Sequence, residues 1–241
     1  MTRVLGIHSV RQALMAGLGQ KLILRQGSLN DRQRELLDLA VEKGIPVVRE
    51  TFDAQATATQ GAALETVSVG FRTEKELEVL LRESRDAWLF LVLDGVTDPR
   101  NFGACVRSAA GFGADALIVP KDHSAPMNDA AVKTASGAAS IVPVFQVVNL
   151  ARTLNKLKQA GVWTVGTVLD GDAELLQDID LKGSVALVMG SEDRGIRQKT
   201  RQSCDFLAEI PTSLPDLSLN VSVATGICLY EICRQRGRGS E

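Results

Sequence analysis

Apolar and polar positions divide the 241-residue chain into two stretches of different rhythm. In the first 70 or so residues, short segments alternate. HSVRQALMAG reads as a helix, KLILRQ as a strand, IPVVRE and AALETVSVGF as further strands. The clearest helix is NDRQRELLDLAVEKG. Asn30 or Asp31 can cap it, Leu36, Leu37, Ala40 and Val41 form its apolar stripe, and Gly44 ends it. This is a small α/β module. RTEKELEVLLRESRDA, with Leu77, Leu80 and Leu81 amid charges, predicts a linking helix. The expected organisation is a module over 1–72, a linker over 73–87 and a second domain over 88–241.

From Trp88 the alternation becomes regular. Apolar runs (WLFLVLDGV, ALIVP, VPVFQVV, VWTVGTV, SVALVMG, FLAEIP) carry little charge, and helix-like segments such as NLARTLNKLKQAG and GIRQKTRQSCD separate most of them. Apolar strands alternating with helices predict a parallel sheet covered on both faces. Ligands of such sheets sit in loops beyond the carboxyl ends of the strands. The tail RQRGRGSE is expected to be irregular.

Composition narrows the function classes only slightly. Hydrophobic content of 45 % and charged content of 23 % are ordinary for a globular protein. No apolar run approaches the ~20 residues of a membrane span, and the N-terminus lacks the apolar core of a signal peptide, so a cytoplasmic protein is expected. Net charge is −2, which argues weakly against nucleic acid as partner. It is unevenly spread: 9 Lys and Arg against 7 Asp and Glu over residues 1–72 give +2, and 18 against 22 beyond give −4. Cys105, Cys204, Cys228 and Cys233 lack CxxC spacing, and with only His8 and His123 available a zinc site is not expected. Reduced, buried thiols are. GFGADA fits the letters of a dinucleotide fingerprint, but its glycines close a helix before a strand rather than opening one after it.

Three loops carry candidate chemistry. TDPRNFGACVR places Arg107 on a stretch cut down to Gly103, Ala104, Cys105, Ala109 and Ala110. Asn101 is a candidate N-cap, and the small neighbours would let a backbone or ligand approach closely. Alone, the segment divides evenly between an anion-binding Arg107 and a surface arginine. LVMGSEDRGI ends a strand at Gly190, with Glu192 and Gly195 following. That suits a backbone-lined ligand loop, although an ordinary strand–helix connection is the better reading of these residues alone. LPDLSLNVSVATGICLYE leads into a helix starting near Ser218 to Asn220, with Val221, Ala224, Ile227, Cys228 and Ile232 at helical spacing for its buried face. Capping explains one of Ser218, Asn220 and Ser222, not all three.

Together these loops resemble the SPOUT superfamily of RNA methyltransferases, in its branch that methylates ribose 2′-hydroxyls. N-x-G-x-x-x-R is Asn101, Gly103 and Arg107. G-x-E-x-x-G is Gly190, Glu192 and Gly195. S-L-N-V-S-x-A is Ser218, Leu219, Asn220, Val221, Ser222 and Ala224. Each is weak alone; three in order, each at its expected strand end, are specific. The resemblance covers nearly the whole chain, with two departures: Thr59-Gln60-Gly61 where the group often has His-Gln-Gly, and Leu214 to Leu217 in place of a Gly-containing loop.

The resemblance implies an α/β fold with a deep trefoil knot at the C-terminal end, and an N-terminal L30e-like domain that binds RNA substrate. It implies S-adenosylmethionine as methyl donor, held largely by backbone groups of Thr167, Gly190, Ile210 and Leu219, with Ser222 beside them. It implies a homodimer in which the pocket and Arg107 come from different protomers. The implied substrate is a guanosine ribose in 23S ribosomal RNA. A transfer RNA ribose, or a non-catalytic RNA-binding assembly factor on the same fold, remains the alternative. Methyl transfer to a hydroxyl needs alignment and proton management, so no metal is expected. An Arg is effectively always protonated and is a poor base. Arg107 is therefore read as stabilising the developing alkoxide and gripping a phosphate, with Asn101 positioning it or the ribose, Glu192 and Asn220 shaping the pocket, and Ser218 or Ser222 fixing the last loop.

Overall fold

The computed structural model describes residues 2–15, 17–52, 59–66, 70–169, 173–213 and 218–237, and it divides into two compact units. The smaller holds residues 1–70 and 136–141, the larger residues 71–135 and 142–241.

In the smaller unit, β1 (Thr2–Leu5), β2 (Gly19–Arg25), β3 (Val47–Glu50) and β4 (Ala62–Thr66) form a mixed sheet in the order β1-β4-β2-β3. Only β2 and β3 run parallel. Helix α1 (Ile7–Met15) and α2 (Asp31–Glu42) bury Leu14, Leu36 and Ala40 against Leu22, Leu24 and Leu64. Asn30 caps α2 in a reciprocal box with Gln33, and Gly44 follows at φ +66°. The expected apolar stripe is corrected at one position: Val41 is 66 % exposed, and Gln33 takes the buried place on that face. Its side chain is satisfied, donating to the Gln60 carbonyl at 2.9 Å and accepting from Asn30 N at 3.2 Å, so burying an amide there costs little.

The larger unit is built on eight parallel strands. They are β5 (Arg72–Thr73), β6 (Leu89–Asp94), β7 (Ala116–Pro120), β8 (Val144–Val147), β9 (Trp163–Thr167), β10 (Glu174–Leu175), β11 (Val185–Gly190) and β12 (Phe206–Glu209). Their order is β10-β12-β9-β11-β6-β7-β8-β5. The chain lays down β6, β7 and β8 in sequence, crosses to β9, and then inserts β11 between β9 and β6. One sheet face packs Phe90, Val92, Ile118 and Phe145 with Leu150, Leu154 and Leu157 of α6 (Leu150–Gln159). On the other face lie α4 (Pro99–Gly111) and α8 (Val221–Gln235), which also pack on each other. Both faces are therefore covered, as the apolar runs required.

The expected linker is corrected. Thr73 belongs to β5, which pairs with β8, and α3 (Glu74–Leu80) buries Leu77 in the same core as Trp88 and Phe145. Thr73 and Glu76 form a second capping box. Its charged positions ion-pair with α6, Glu74 with Arg152 at 3.1 Å and with Lys156 at 2.9 Å, which is why a charged segment packs without being a spacer. The tail is helical through Gln235; residues 238–241 lie outside the described part. As the order of elements implied, Gly111 closes α4 and Gly113 turns the chain at φ +69° into β7. Burial pushes the Cys105 thiol up to about 11 and the Cys228 thiol up to about 12, leaving neither ionised at neutral pH.

Candidate active site

Strands β12, β9, β11 and β6 are neighbours, so their carboxyl ends bring four loops together. The order of strands reverses here, which is where such sheets open a crevice. A cavity of about 360 Å³ lies among the first three of these loops. Its walls are Thr167 and Val168 at the end of β9, Met189 to Ile196 at the end of β11, Ile210 and Thr212 after β12, Ser218 and Leu219 before α8, and Val221 and Ala224 in its first turn.

The loop after β11 is shaped by its two glycines. Ser191 N donates to Gly195 O at 3.1 Å and Gly195 N to Ser191 O at 2.9 Å, closing a tight turn. Gly195 sits at φ +62°. A Cβ on Gly190 would lie 2.1 Å from the Gly195 carbonyl carbon. The G-x-E-x-x-G spacing therefore serves a backbone that folds onto itself and leaves peptide groups along the cavity wall.

Glu192 joins three elements. Its Oε1 accepts from Asn101 Nδ2 at 3.3 Å, from Val221 N at 3.2 Å, and from Asn220 Nδ2. Asn220 Nδ2 also donates to Asn101 Oδ1 at 3.1 Å, while its Oδ1 accepts from Ser222 N at 3.0 Å and caps α8. The amide orientations of both asparagines follow from this network. Asn101 is thus not the cap of α4. Asp98 is, accepting from Arg100 N at 3.1 Å and Asn101 N at 3.4 Å, with Pro99 at the first helical position. Having no capping duty frees the Asn101 amide to meet Glu192.

Of the residues singled out in the sequence, Thr167, Gly190, Glu192, Ile210, Ser218 and Leu219 line the cavity. Asn101 and Asn220 meet them through Glu192. Ser222 is not on the cavity wall; it closes on Asn220. Arg107 is exposed on α4 and outside the wall of its own chain's cavity. None of its donors meets a partner among the described residues. The small residues beside it have a reason internal to the chain: a Cβ on Gly103 would lie 2.5 Å from Ala131 O and 2.8 Å from Thr134 Cβ. Both belong to α5 (Asp129–Ala135), so at Gly103 the close approach is by a helix of the same chain. The buried face of α8 is corrected likewise. Thr225, Leu229 and Cys233 join Val221, Cys228 and Ile232, Ala224 is half-buried, and Ile227 is exposed. Leu214 to Leu217, where the sequence departs from the family pattern, lie outside the described residues.

The cavity's size falls within the range of about 300–1,000 Å³ typical of small-molecule sites. Apolar Met189, Ile196, Leu219 and Val221 alternate with peptide groups of the 190–195 turn, and the Glu192 carboxylate complements a cation. A slot with apolar walls and backbone groups, edged by Glu192 and Asp193 and by Arg194 and Arg201, can take a nucleoside with both its apolar base and its charged groups met. A group missed by the sequence reading is Asp94, wholly buried at the end of β6 and paired with Arg197; it reads there as a turn residue after an apolar run.

Residues 88–230 match the SpoU rRNA Methylase family, and the chain belongs to that family. Over 97 % of its length it is 46 % identical to the 23S rRNA (guanosine-2′-O-)-methyltransferase RlmB of Pseudomonas aeruginosa, covering 96 % of that protein. Over the same share it is 41 % identical to the RlmB of Coxiella burnetii, of which 95 % is covered. Among solved structures, the SpoU methyltransferase AviRb from Streptomyces viridochromogenes in complex with AdoMet superimposes with a TM-score of 0.76 at 25 % identity, over 98 % of this chain and 91 % of that one.

Proposed function

We propose that the chain methylates the ribose 2′-hydroxyl of a guanosine in 23S ribosomal RNA with S-adenosylmethionine as donor. One observation carries the reading: the three sequence motifs, distant along the chain, converge on one cavity rim, where Glu192 ties Asn101 to Asn220. Relatives at 41–46 % identity over nearly the whole chain carry that activity in their names.

Thr167, Gly190, Ile210 and Leu219 would hold the donor through backbone and apolar contacts, with Ser218 steadying the loop into α8. When bound, the donor supplies a methyl on a sulfonium, which is its own leaving group. The protein's remaining task is to align the hydroxyl and stabilise its oxygen as the proton leaves. Arg107 is assigned that role, with phosphate or water taking the proton. Because Arg107 stands outside its own chain's cavity, it would serve a partner protomer's. Val223, Ile227 and Tyr230 support a homodimer: they are 51 %, 39 % and 58 % exposed at helical spacing on α8, an apolar stripe of the kind a second chain covers. The knot would be formed as the chain, having inserted β11 between β6 and β9, returns to α8. Arg100, Arg107 and Arg194 are exposed on the segments that carry Asn101 and Glu192, which suits RNA phosphates despite the overall negative charge. The smaller unit is read as an RNA-binding domain of L30e type. No helix of the described residues is long and apolar enough to cross a membrane, in keeping with action on ribosomal RNA in the cytoplasm.

Incubation with methyl-labelled donor and unmodified 23S RNA tests the reading, followed by mapping of alkali-resistant positions. One resistant step at a guanosine is expected. Label entering only transfer RNA would move the substrate, and binding of RNA without label transfer would make the chain an assembly factor.

Asn220→Ala removes a helix cap worth about 1 kcal/mol and two donors to the rim. Calorimetric titration should show about tenfold weaker donor binding, since a hydrogen bond to a charged group is worth about 1.5–3 kcal/mol and the exposed position of this one puts it at the low end, and turnover should fall as well. If both stay unchanged, Asn220 is a cap alone.

A further inference from the structure

Asp94 is the last residue of β6 and is 0 % exposed, although it ends an apolar run in the middle of the sheet. In register it stands beside Gly190, the first residue of the glycine turn. Its two carboxylate oxygens reach past that turn to the far side: Oδ2 accepts from Arg197 N at 3.0 Å and Oδ1 from Arg197 Nε at 2.6 Å. Arg197 is two residues beyond Gly195 and immediately before α7 (Gln198–Arg201). The turn that carries Glu192 is thus pinned at its start by sheet pairing to β6 and at its end by the side chain of the same β6 residue. A buried charge held by one guanidinium and one peptide N–H is costly to assemble and costly to break. Hydrophobic packing alone could terminate β6 without it. The described structure offers this carboxylate no other partner.

We infer that the Asp94–Arg197 pair is a positioning latch: it fixes the 190–197 turn in the conformation that presents Glu192 and the wall of backbone groups to the donor. Neither residue is among those lining the cavity, so they act through the turn and not by touching the donor. The inference rests on the reading of the cavity as the S-adenosylmethionine site, but its primary measurement does not.

The test uses the full-length chain in three forms beside the native one. Arg197→Ala leaves Asp94 buried without its partner and is expected to lower the melting temperature. Arg197→Ala with Asp94→Asn removes the stranded charge as well and should recover most of that loss. Arg197→Lys keeps a cation within reach. Hydrogen exchange at Ser191, Gly195 and Arg197 amides, measured without ligand, is the primary readout. Exchange at Ser191 and Gly195 should be at least about tenfold faster in the double variant than in the native chain despite the recovered melting temperature, because local opening follows the ties of the turn itself. Arg197→Lys should restore part of the protection. Equilibrium titration with S-adenosylmethionine should follow the same order, with Kd raised about tenfold or more in the double variant and kcat at saturating donor changed less. Native exchange and native Kd in the double variant would overturn the latch and reduce the pair to a fold-stabilising contact. If exchange accelerates as expected but the native chain itself fails to bind the donor, the latch stands and the functional reading falls.

Discussion

Arg107→Ala is expected to slow methyl transfer by more than about a hundredfold, the usual scale for removing one preorganised electrostatic group, with the Kd for S-adenosylmethionine within about twofold of native. The asymmetry follows from position. Arg107 is exposed on α4, does not line the cavity of its own chain, and its guanidinium makes no hydrogen bond or ion pair among the described residues. Its loss should therefore disturb neither the donor site nor the fold; surface substitutions of this sort usually fall within about 0.5 kcal/mol. A fall in kcat with unchanged donor affinity identifies a group that acts on the transition state. Arg107→Lys should recover little, because an ammonium lacks the planar fork that can hold an oxygen and a phosphate together. Mixing Arg107→Ala protomers with Asn220→Ala protomers adds a test of the dimer. If Arg107 serves the partner's cavity, a mixed dimer holds one site with both lesions and one with neither, and the mixture exceeds the average of its parents. Turnover near native in Arg107→Ala would remove the residue from the mechanism. Activity of the mixture at the parental average would return it to its own chain.

The parts of this arrangement that depend on nearest neighbours along the chain were legible in the sequence. Asn30 before an apolar stripe, the glycines around Glu192 and the polar entry to α8 each state a local backbone requirement, and the structure meets them. Where two local signals competed, the reading slipped. Asp98-Pro99 and Asn101 both suit a helix start, and Pro99 decided the matter by occupying the first helical position, which makes Asp98 the cap. Long-range facts were not legible. Nothing near Gly103 says that a carbonyl of residue 131 will lie against it. Nothing in WLFLVLDGV says that its aspartate is buried on an arginine 103 residues away. The insertion of β11 between β6 and β9 is likewise a property of the assembled sheet. The charged segment at 73–87 looked like a spacer because its partners, Arg152 and Lys156, lie far along the chain. Cavity residues such as Thr167 and Ile210 came from the family resemblance, since a threonine or isoleucine at a strand end announces nothing by itself.

Gly190→Ala should be strongly damaging. The added Cβ would meet three backbone atoms, at 2.1 Å from Gly195 C, 2.3 Å from Ile196 N and 2.5 Å from Gly195 O. None of them can swing away as a flexible side chain would. Gly195 is tied to Ser191 by two backbone hydrogen bonds, and Arg197 is tied to Asp94. The turn must therefore open, giving up hydrogen bonds with a net worth of about 0.5–1.5 kcal/mol each, or the sheet end must shift with overpacking costs of about 1–3 kcal/mol. A loss of about 2–4 kcal/mol corresponds, at about 2–4 °C per kcal/mol for a domain of this size, to a melting temperature lowered by about 5–15 °C. Donor affinity should fall by about a hundredfold or more, because the displaced backbone is the cavity wall itself; about 2.7 kcal/mol suffices for that change. Gly195→Ala supplies the contrast. Gly195, unlike Gly190, sits in the left-handed region, at φ +62°, but nothing lies within 4 Å of its added Cβ, so the cost is conformational, about 1 kcal/mol. Thermal unfolding and calorimetric titration of the two variants separate strain in a turn from obstruction of a wall. Equal effects in both assays would mean that backbone conformation, and not the close approach of residues 190 and 195, is what the donor site requires of its glycines.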